Sequence, residues 1–396
     1  MTDMKSPSTA STTGGKILWI DNNAALASFC EEARGQPFIA VDTEFHRERT
    51  YFSKLALVQI ALPGKIACID PIAISDLNPL DELMLDKKVL KLMHSGRQDL
   101  EIFFDRTGSV PGPLFDTQVA AALLGMGEQT GYAALVEKVC GVPLSKTHAR
   151  TDWMRRPLAP EVIAYAADDV RYLGQIYRIL DTSLVDRGRR EWLEEEQALI
   201  MAPATYEPDI DNAWQRVKGS NKLNGRSLPI VQSLARWREC VARETDRPRR
   251  WVLSDETIIN IARQCPRNMD TLVRMRGLEE RVRRKHGLKL LELVTEAAKA
   301  PTVKGRKEER KKISDGALVE ALAAVLKIEA KENDISAEML ASRGDLNSAA
   351  AGDRELPLFR GWRKALAGDA IVAFLGGELE LRTESGRLVL RAIEGK

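Results

Sequence analysis

The chain has 396 residues, 44% hydrophobic and 29% charged, which is enough for two to four domains with buried cores and excludes a tiny disulfide-stapled scaffold or a collagen-like polymer. Its 59 Lys and Arg nearly balance its 57 Asp and Glu, yet residues 201–312 hold 26 bases and 15 acids while the remainder holds 33 and 42. A basic segment joined to an acidic one points to a polyanion-binding module attached to one that holds cations or does chemistry. No apolar run approaches the roughly 18–20 residues needed to cross a bilayer. The five cysteines, Cys30, Cys68, Cys140, Cys240 and Cys265, are scattered without CxxC spacing, so a reduced, cytoplasmic setting is expected.

Residues 1–15 are rich in Ser and Thr, lack an apolar signal core and read as a disordered tail. Short apolar runs then alternate with helical patterns. Residues 38–45, 55–62, 65–70 and 89–94 have the composition of strands, and 24–33, 98–105, 116–124 and 132–139 the periodicity of helices. This mixture predicts an α/β domain on a central sheet, spanning 16–205 and closing with one long helical pattern from Pro160 toward Met201. Residues 203–224 read as an irregular connection. Helical segments at 228–245, 254–264 and 268–272 predict a small all-α bundle over 222–298, and a charged linker is expected at 299–314. Helical patterns at 315–332, 337–341, 342–350 and 362–375 predict a second helical bundle over 315–396.

Three clusters carry chemistry. In Val41-Asp-Thr-Glu-Phe45, strand alternation puts Asp42 and Glu44 on one face and turns Thr43 away. Two carboxylates so placed repel each other unless a cation lies between them. In Tyr165-Ala-Ala-Asp-Asp169, about 100° per residue sets Tyr165 and Asp169 one turn apart on nearly one face, and helical geometry alone permits Asp168 as well. Asp99 lies in Met93-His-Ser-Gly-Arg-Gln-Asp-Leu100, where a strand passes into a helix and loop residues can be directed into a cleft. His94 in the same stretch is a candidate substrate contact.

Taken in order, these clusters resemble the DEDD superfamily of 3′-to-5′ exonucleases, in the branch with Tyr in its last motif. Leu57-Val-Gln-Ile-Ala61, His94-Ser-Gly-Arg-Gln-Asp99, Phe115-Asp-Thr-Gln118, Gly131-Tyr-Ala-Ala-Leu135 and Asp152-Trp-Met-Arg-Arg-Pro-Leu158 are similar to the ribonuclease D family, and the likeness covers most of residues 30–185. A looser match lies at 146–150. The resemblance implies a ribonuclease H-like mixed sheet flanked by helices. It also implies two divalent ions, Mg2+ or Mn2+, with Asp42, Glu44 and Asp169 around one and Asp42 and Asp99 at the other. The spacing of the family's last motif selects Asp169 over Asp168, and Tyr165 is implied to position the attacking water. The implied product is a 5′-mononucleotide cut from a free 3′ end, with transfer-RNA precursors as substrate and a monomeric enzyme. Gln59 and His94 are carried as substrate contacts.

Residues 222–298 resemble the helicase-and-RNase-D C-terminal domain, and 315–380 suggest a weaker second copy. Arg247, Arg249 and Arg250 are candidate RNA contacts, whereas Trp237 and Trp251 are expected in the core. A chain ending near residue 205 is therefore expected to keep its chemistry and lose RNA affinity. The competing readings are a single-strand DNA exonuclease, which the same metal site would serve, and a non-catalytic RNA-binding protein.

Overall fold

A computed structural model describes residues 15–145, 151–223, 225–300 and 315–393. The expected tail, the looser match at 146–150 and nearly all of the expected linker lie outside them. The described residues form two compact units, one from the ranges 1–45, 55–205 and 311–396, the other from 46–54 and 206–310.

The first unit is built on a six-stranded mixed sheet. Its strands are β1 (Lys16–Ile20), β2 (Phe38–His46), β3 (Lys54–Leu62), β4 (Lys65–Ile69), β5 (Leu90–Met93) and β6 (Leu114–Asp116), in the order β1-β4-β3-β2-β5-β6. β3 is central, and its unbroken buried run Ala56–Ile60 is the pattern of a strand covered on both faces rather than one. β1 and β6 were not among the expected strands. Each adds a short parallel ladder at a sheet edge, β1 on β4 and β6 on β5.

The stretch expected as one helix from Pro160 to Met201 is three: Pro160–Arg171, Leu173–Asp186 and Arg190–Met201. The first break falls at Tyr172, and the second contains Gly188 at φ +65°, a left-handed conformation that glycine takes without a Cβ clash. The middle helix packs Tyr177 edge-on against Phe38 and Phe115, at centroid distances of 5.4 and 4.8 Å, and so fastens the helices to β2 and β6. Arg156 staples the 151–158 segment to the sheet. Its Nε and Nη2 donate to the buried Asp70 carboxylate at 2.7 and 2.8 Å, and Nη2 also reaches the Ala56 carbonyl at 2.6 Å.

Residues 315–393 continue the same hydrophobic core. Val319, Leu322, Val325 and Leu326 of helix Gly316–Glu332 are buried in one cluster with Leu180, Leu184 and Leu193. Trp362 stacks on Trp192 at 5.0 Å and donates its indole N–H to Glu196 at 2.9 Å. Arg189, itself buried, donates to the Leu123 carbonyl at 2.7 Å and to the Asn333 and Asp334 carbonyls. The chain closes on a hairpin, Leu379–Glu384 with Arg387–Ala392, turned by Ser385 and Gly386 at φ +49° and +75°.

The second unit packs helices Ser227–Glu244, Asp255–Gln264, Met269–Val273 and Glu280–Ala297 around Ile230, Leu234, Ile258, Ile261, Leu272, Leu290 and Val294. Ser254 and Asn268 cap two of these helices with their side chains. The connection 203–224 is less irregular than expected, because 3-10 turns at Ala213–Arg216 and Ser220–Lys222 bury Ala213 and Val217 in this core. Within the unit Tyr51 and Arg249 both bind Glu239, which is 1% exposed.

Candidate active site

β2 delivers Asp42 and Glu44 because its buried residues Ile39, Ala40 and Val41 anchor the strand and its last turn of pleat runs outward. Helix Pro160–Arg171 crosses the same face and brings Asp169 to them. Ligand oxygens of Asp42, Glu44 and Asp169 all lie within 4.8 Å of one another, and each of the three side chains is half-buried. Asp168 takes the other direction and pairs with Arg171 at 2.6 Å.

Asp99 stands slightly apart. It is buried at the start of helix Arg97–Thr107 and accepts a hydrogen bond from the Thr43 hydroxyl, so the residue expected to turn away from the acids holds one of them from beneath. Its charge is still felt across the site. Burial pushes Asp42 well above the usual carboxylate range, and the charges of Asp99, Asp169 and Glu44 add to the effect. Glu44 is raised to about 8 by burial and then by Asp169 and Asp99. Asp169 rises to about 7 by burial and the neighbouring Asp168. Asp99 rises to about 6 by burial, against the pull of Thr43. Four acids that each resist ionisation, with no cation set among them within the described residues, form a cluster able to take a divalent cation. Carboxylate oxygens alone suit a hard ion such as Mg2+ or Mn2+. Tyr165 is half-buried beside them, and burial together with Asp169, Glu44 and Asp42 keeps its phenol protonated.

Two groups that sequence reasoning did not single out fix this geometry. Asp116 caps helix Thr117–Leu123 through the Gln118 and Val119 amides, at 2.8 and 3.3 Å, and also accepts from Ser95 and Gly96 at 3.1 and 2.9 Å. It thereby pins the turn that delivers Asp99. That turn is tight: Ser95 lies at φ +58°, and a Cβ on Gly96 would meet the Met93 sulfur at 2.7 Å. Tyr132 donates to the Asp168 carbonyl at 3.1 Å and accepts from the Tyr172 amide at 3.2 Å, holding the end of the helix that carries Asp169. Both residues sit inside the motifs quoted above, but a motif does not reveal which backbone amides a side chain will reach.

His94 sits at the end of β5, with Nδ1 2.9 Å from the Thr117 hydroxyl and its ring tilted against Tyr132 at 5.5 Å. Gln59 is fully enclosed on β3, opposite Cys68 of β4, and neither amide heteroatom has a protein partner. The Cys68 thiol faces the Ile163 carbonyl, so Gln59 lies on the sheet face covered by the helix of Tyr165 and Asp169. Arg249 is bound to Glu239 at 2.6 Å. Arg247 and Arg250 take part in no ion pair among the described residues.

Comparisons with known proteins agree with this geometry. The 3′-5′ exonuclease family pattern matches residues 17–185, and the HRDC domain pattern matches 227–294. The chain is 41% identical over 379 residues to Ribonuclease D of Sphingobium indicum, covering 93% of this chain and 97% of that one. It is 37% identical over 371 residues to Ribonuclease D of Gluconacetobacter diazotrophicus, covering 92% and 94%. The crystal structure of Escherichia coli RNase D, an exoribonuclease involved in structured RNA processing, superposes with a TM-score of 0.80 at 33% identity, covering 91% of this chain and 99% of that one.

Proposed function

The chain belongs to the ribonuclease D family of 3′-to-5′ exoribonucleases, and from that premise we propose that it trims the 3′ ends of transfer-RNA precursors and other structured RNAs. The observation that carries the reading is the convergence of Asp42, Glu44 and Asp169 within 4.8 Å. In this reading those three hold one divalent ion, Mg2+ or Mn2+, and Asp42 with Asp99 holds a second. Such a pair, when bound, makes a nucleophile of water at neutral pH and offsets charge on the attacking and leaving oxygens. Tyr165 supplies a protonated hydroxyl that orients the water. The 3′-terminal nucleotide leaves as a 5′-mononucleotide.

Substrate contact is assigned to His94, which is kept neutral by burial and lies at the end of the strand leading to Asp99. Arg247 and Arg250 are assigned to RNA phosphates. Gln59 is enclosed without a protein hydrogen-bond partner and Arg249 is engaged by Glu239, so neither is assigned to the substrate. The chain works as a monomer in the cytoplasm, a setting in keeping with its five free cysteines.

The test compares Asp42→Asn, Asp169→Asn and Asp168→Asn in the full chain, with single-turnover cleavage and RNA binding measured separately. Asp42→Asn and Asp169→Asn should abolish metal-dependent cleavage and leave binding intact. Asp168→Asn, which breaks only a half-exposed ion pair worth about 0–1 kcal/mol, should retain it. Near-normal cleavage by a folded Asp42→Asn protein would overturn the assignment. Matched RNA and DNA oligonucleotides with free 3′ ends decide between ribonuclease and deoxyribonuclease action.

A further inference from the structure

Trp251 was expected in the core of the helical unit, but it is 47% exposed. Single exposed apolar side chains are ordinary and need no explanation. What surrounds this one is not ordinary. Trp251 lines a cleft of about 280 Å³ whose walls also include Thr245, Arg247, Glu279, Arg281, Lys285 and His286. Helix Glu280–Ala297 supplies Arg281 and Lys285 one turn apart, on the face turned to the cleft.

Among the described residues, Arg247, Arg281 and Lys285 take part in no ion pair. A second cavity of this unit is different. There Arg238 is tied to Asp255 at 2.6 Å and Arg249 to Glu239 at 2.6 Å, so much of its positive charge is already spent. Around Trp251 three cations face a single acid, Glu279. His286 is set edge-on against Trp237 at 5.1 Å and is kept neutral by burial and by Lys285. The cleft thus combines a half-exposed indole with three cations that face one acid.

We propose that this cleft captures one unpaired nucleotide of the RNA substrate, its base stacked on Trp251 and its flanking phosphates held by Arg247, Arg281 and Lys285. The proposal rests on the exoribonuclease reading and adds to it a defined site in the helical unit. The ligand must be single-stranded at this point, because a paired base hides both faces within its stack and an aromatic side chain can reach only a splayed one. The volume lies just below the range of about 300–1,000 Å³ usual for small-ligand clefts, which fits one nucleotide and not a duplex. Stacking is indifferent to base identity, so the site would anchor many precursors without reading their sequence.

The test uses the full chain with metal chelated, and measures binding of a short oligoadenylate and of a blunt RNA duplex as salt is varied. Steady-state kinetics in Mg2+ are read in parallel. Trp251→Ala should weaken oligoadenylate binding about 5- to 100-fold and raise KM with little change in kcat, while Trp251→Phe restores most of the loss. Duplex binding should be almost unaffected. The double variant Arg281→Gln with Lys285→Gln should flatten the salt dependence by about 1.4 in log Kd per log salt, at about 0.7 for each single-strand phosphate contact. If Trp251→Ala proves unstable, Trp251→Leu keeps apolar bulk without a π face, and its difference from Trp251→Phe decides the question. Equal oligoadenylate affinity and KM in the wild type and the Ala or Leu variants would overturn the site. Equal losses on duplex and single strand would overturn the stacking. A wild-type chain that releases no mononucleotide from oligoadenylate would instead overturn the exoribonuclease reading itself.

Discussion

Asp42, Glu44, Asp99 and Asp169 keep their protons to higher pH in the folded chain than in an unfolded one. Their usual pKa is near 4, whereas in the fold Asp99 rises to about 6, Asp169 to about 7 and Glu44 to about 8. An acid raised on folding contributes stability that is complete below the unfolded pKa and is lost as pH climbs through the folded one. In chelator, wild type should therefore lose stability between about pH 4 and 8 relative to Glu44→Gln, which carries no proton to lose. Thermal melting of both proteins across that window checks the sign. A gap that stays constant with pH would mean that Glu44 is not held protonated. Metal affinity should run the opposite way and strengthen with pH, since the ligands must shed protons to bind. Asp42 and Glu44 were legible in the strand period, whereas Asp99 and the choice of Asp169 over Asp168 rest on the resemblance to the family's motifs. The supports of these acids were not legible. Thr43 under Asp99 and Asp116 under the Ser95-Gly96 turn depend on contacts between segments far apart in the chain, and no local period encodes these.

At the scale of elements, long apolar patterns were read well and short or interrupted ones poorly. β6 is three residues long, too brief to show alternation, and β1 follows directly on a polar stretch. The run from Pro160 to Met201 keeps a helical period through two changes of direction, because each daughter helix buries its own stripe. Only Gly188 marked the second break. The terminal hairpin had a signal in Ser385-Gly386 between alternating residues, but it follows a helical region and was absorbed into it. Docking of the last segment is likewise invisible to pattern. It depends on Arg189, whose guanidinium satisfies carbonyls of Leu123, Asn333 and Asp334. Arg189→Met keeps much of the apolar stem and leaves those carbonyls without their donor. It should cost about 1–3 kcal/mol for each carbonyl left buried and unpaired, read as a lower urea midpoint with unchanged slope. A midpoint equal to wild type would show that water replaces the arginine without cost.

For the whole molecule, the shared core changes what a truncation should do. The sequence pattern suggested that a chain ending near residue 205 would remain a working nuclease. In the structure such a chain loses Val319, Leu322, Val325, Leu326, Trp362 and Ile371 from the cluster that contains Leu180, Leu184 and Leu193. Stripped of that cover, residues 1–205 should be poorly soluble and inactive, and co-expression with residues 311–396 should restore both solubility and metal-dependent cleavage of a short RNA. Retention of activity by the fragment alone, with a melting temperature equal to that of the full chain, would show the cover to be dispensable. The helical unit between these parts has its own core and is the better candidate for independent expression, provided that 46–54 is supplied.

The division of the first unit into early and late stretches of chain also sets a schedule for its synthesis. At about 5–20 residues per second, a ribosome that has finished residue 310 needs several seconds more to make the segment that closes the catalytic body. During that time the acids of β2 and of the Asp169 helix already exist, but the core beneath them is open. A nascent chain that has reached residue 310 thus carries the catalytic acids before the segment that covers their core has been made.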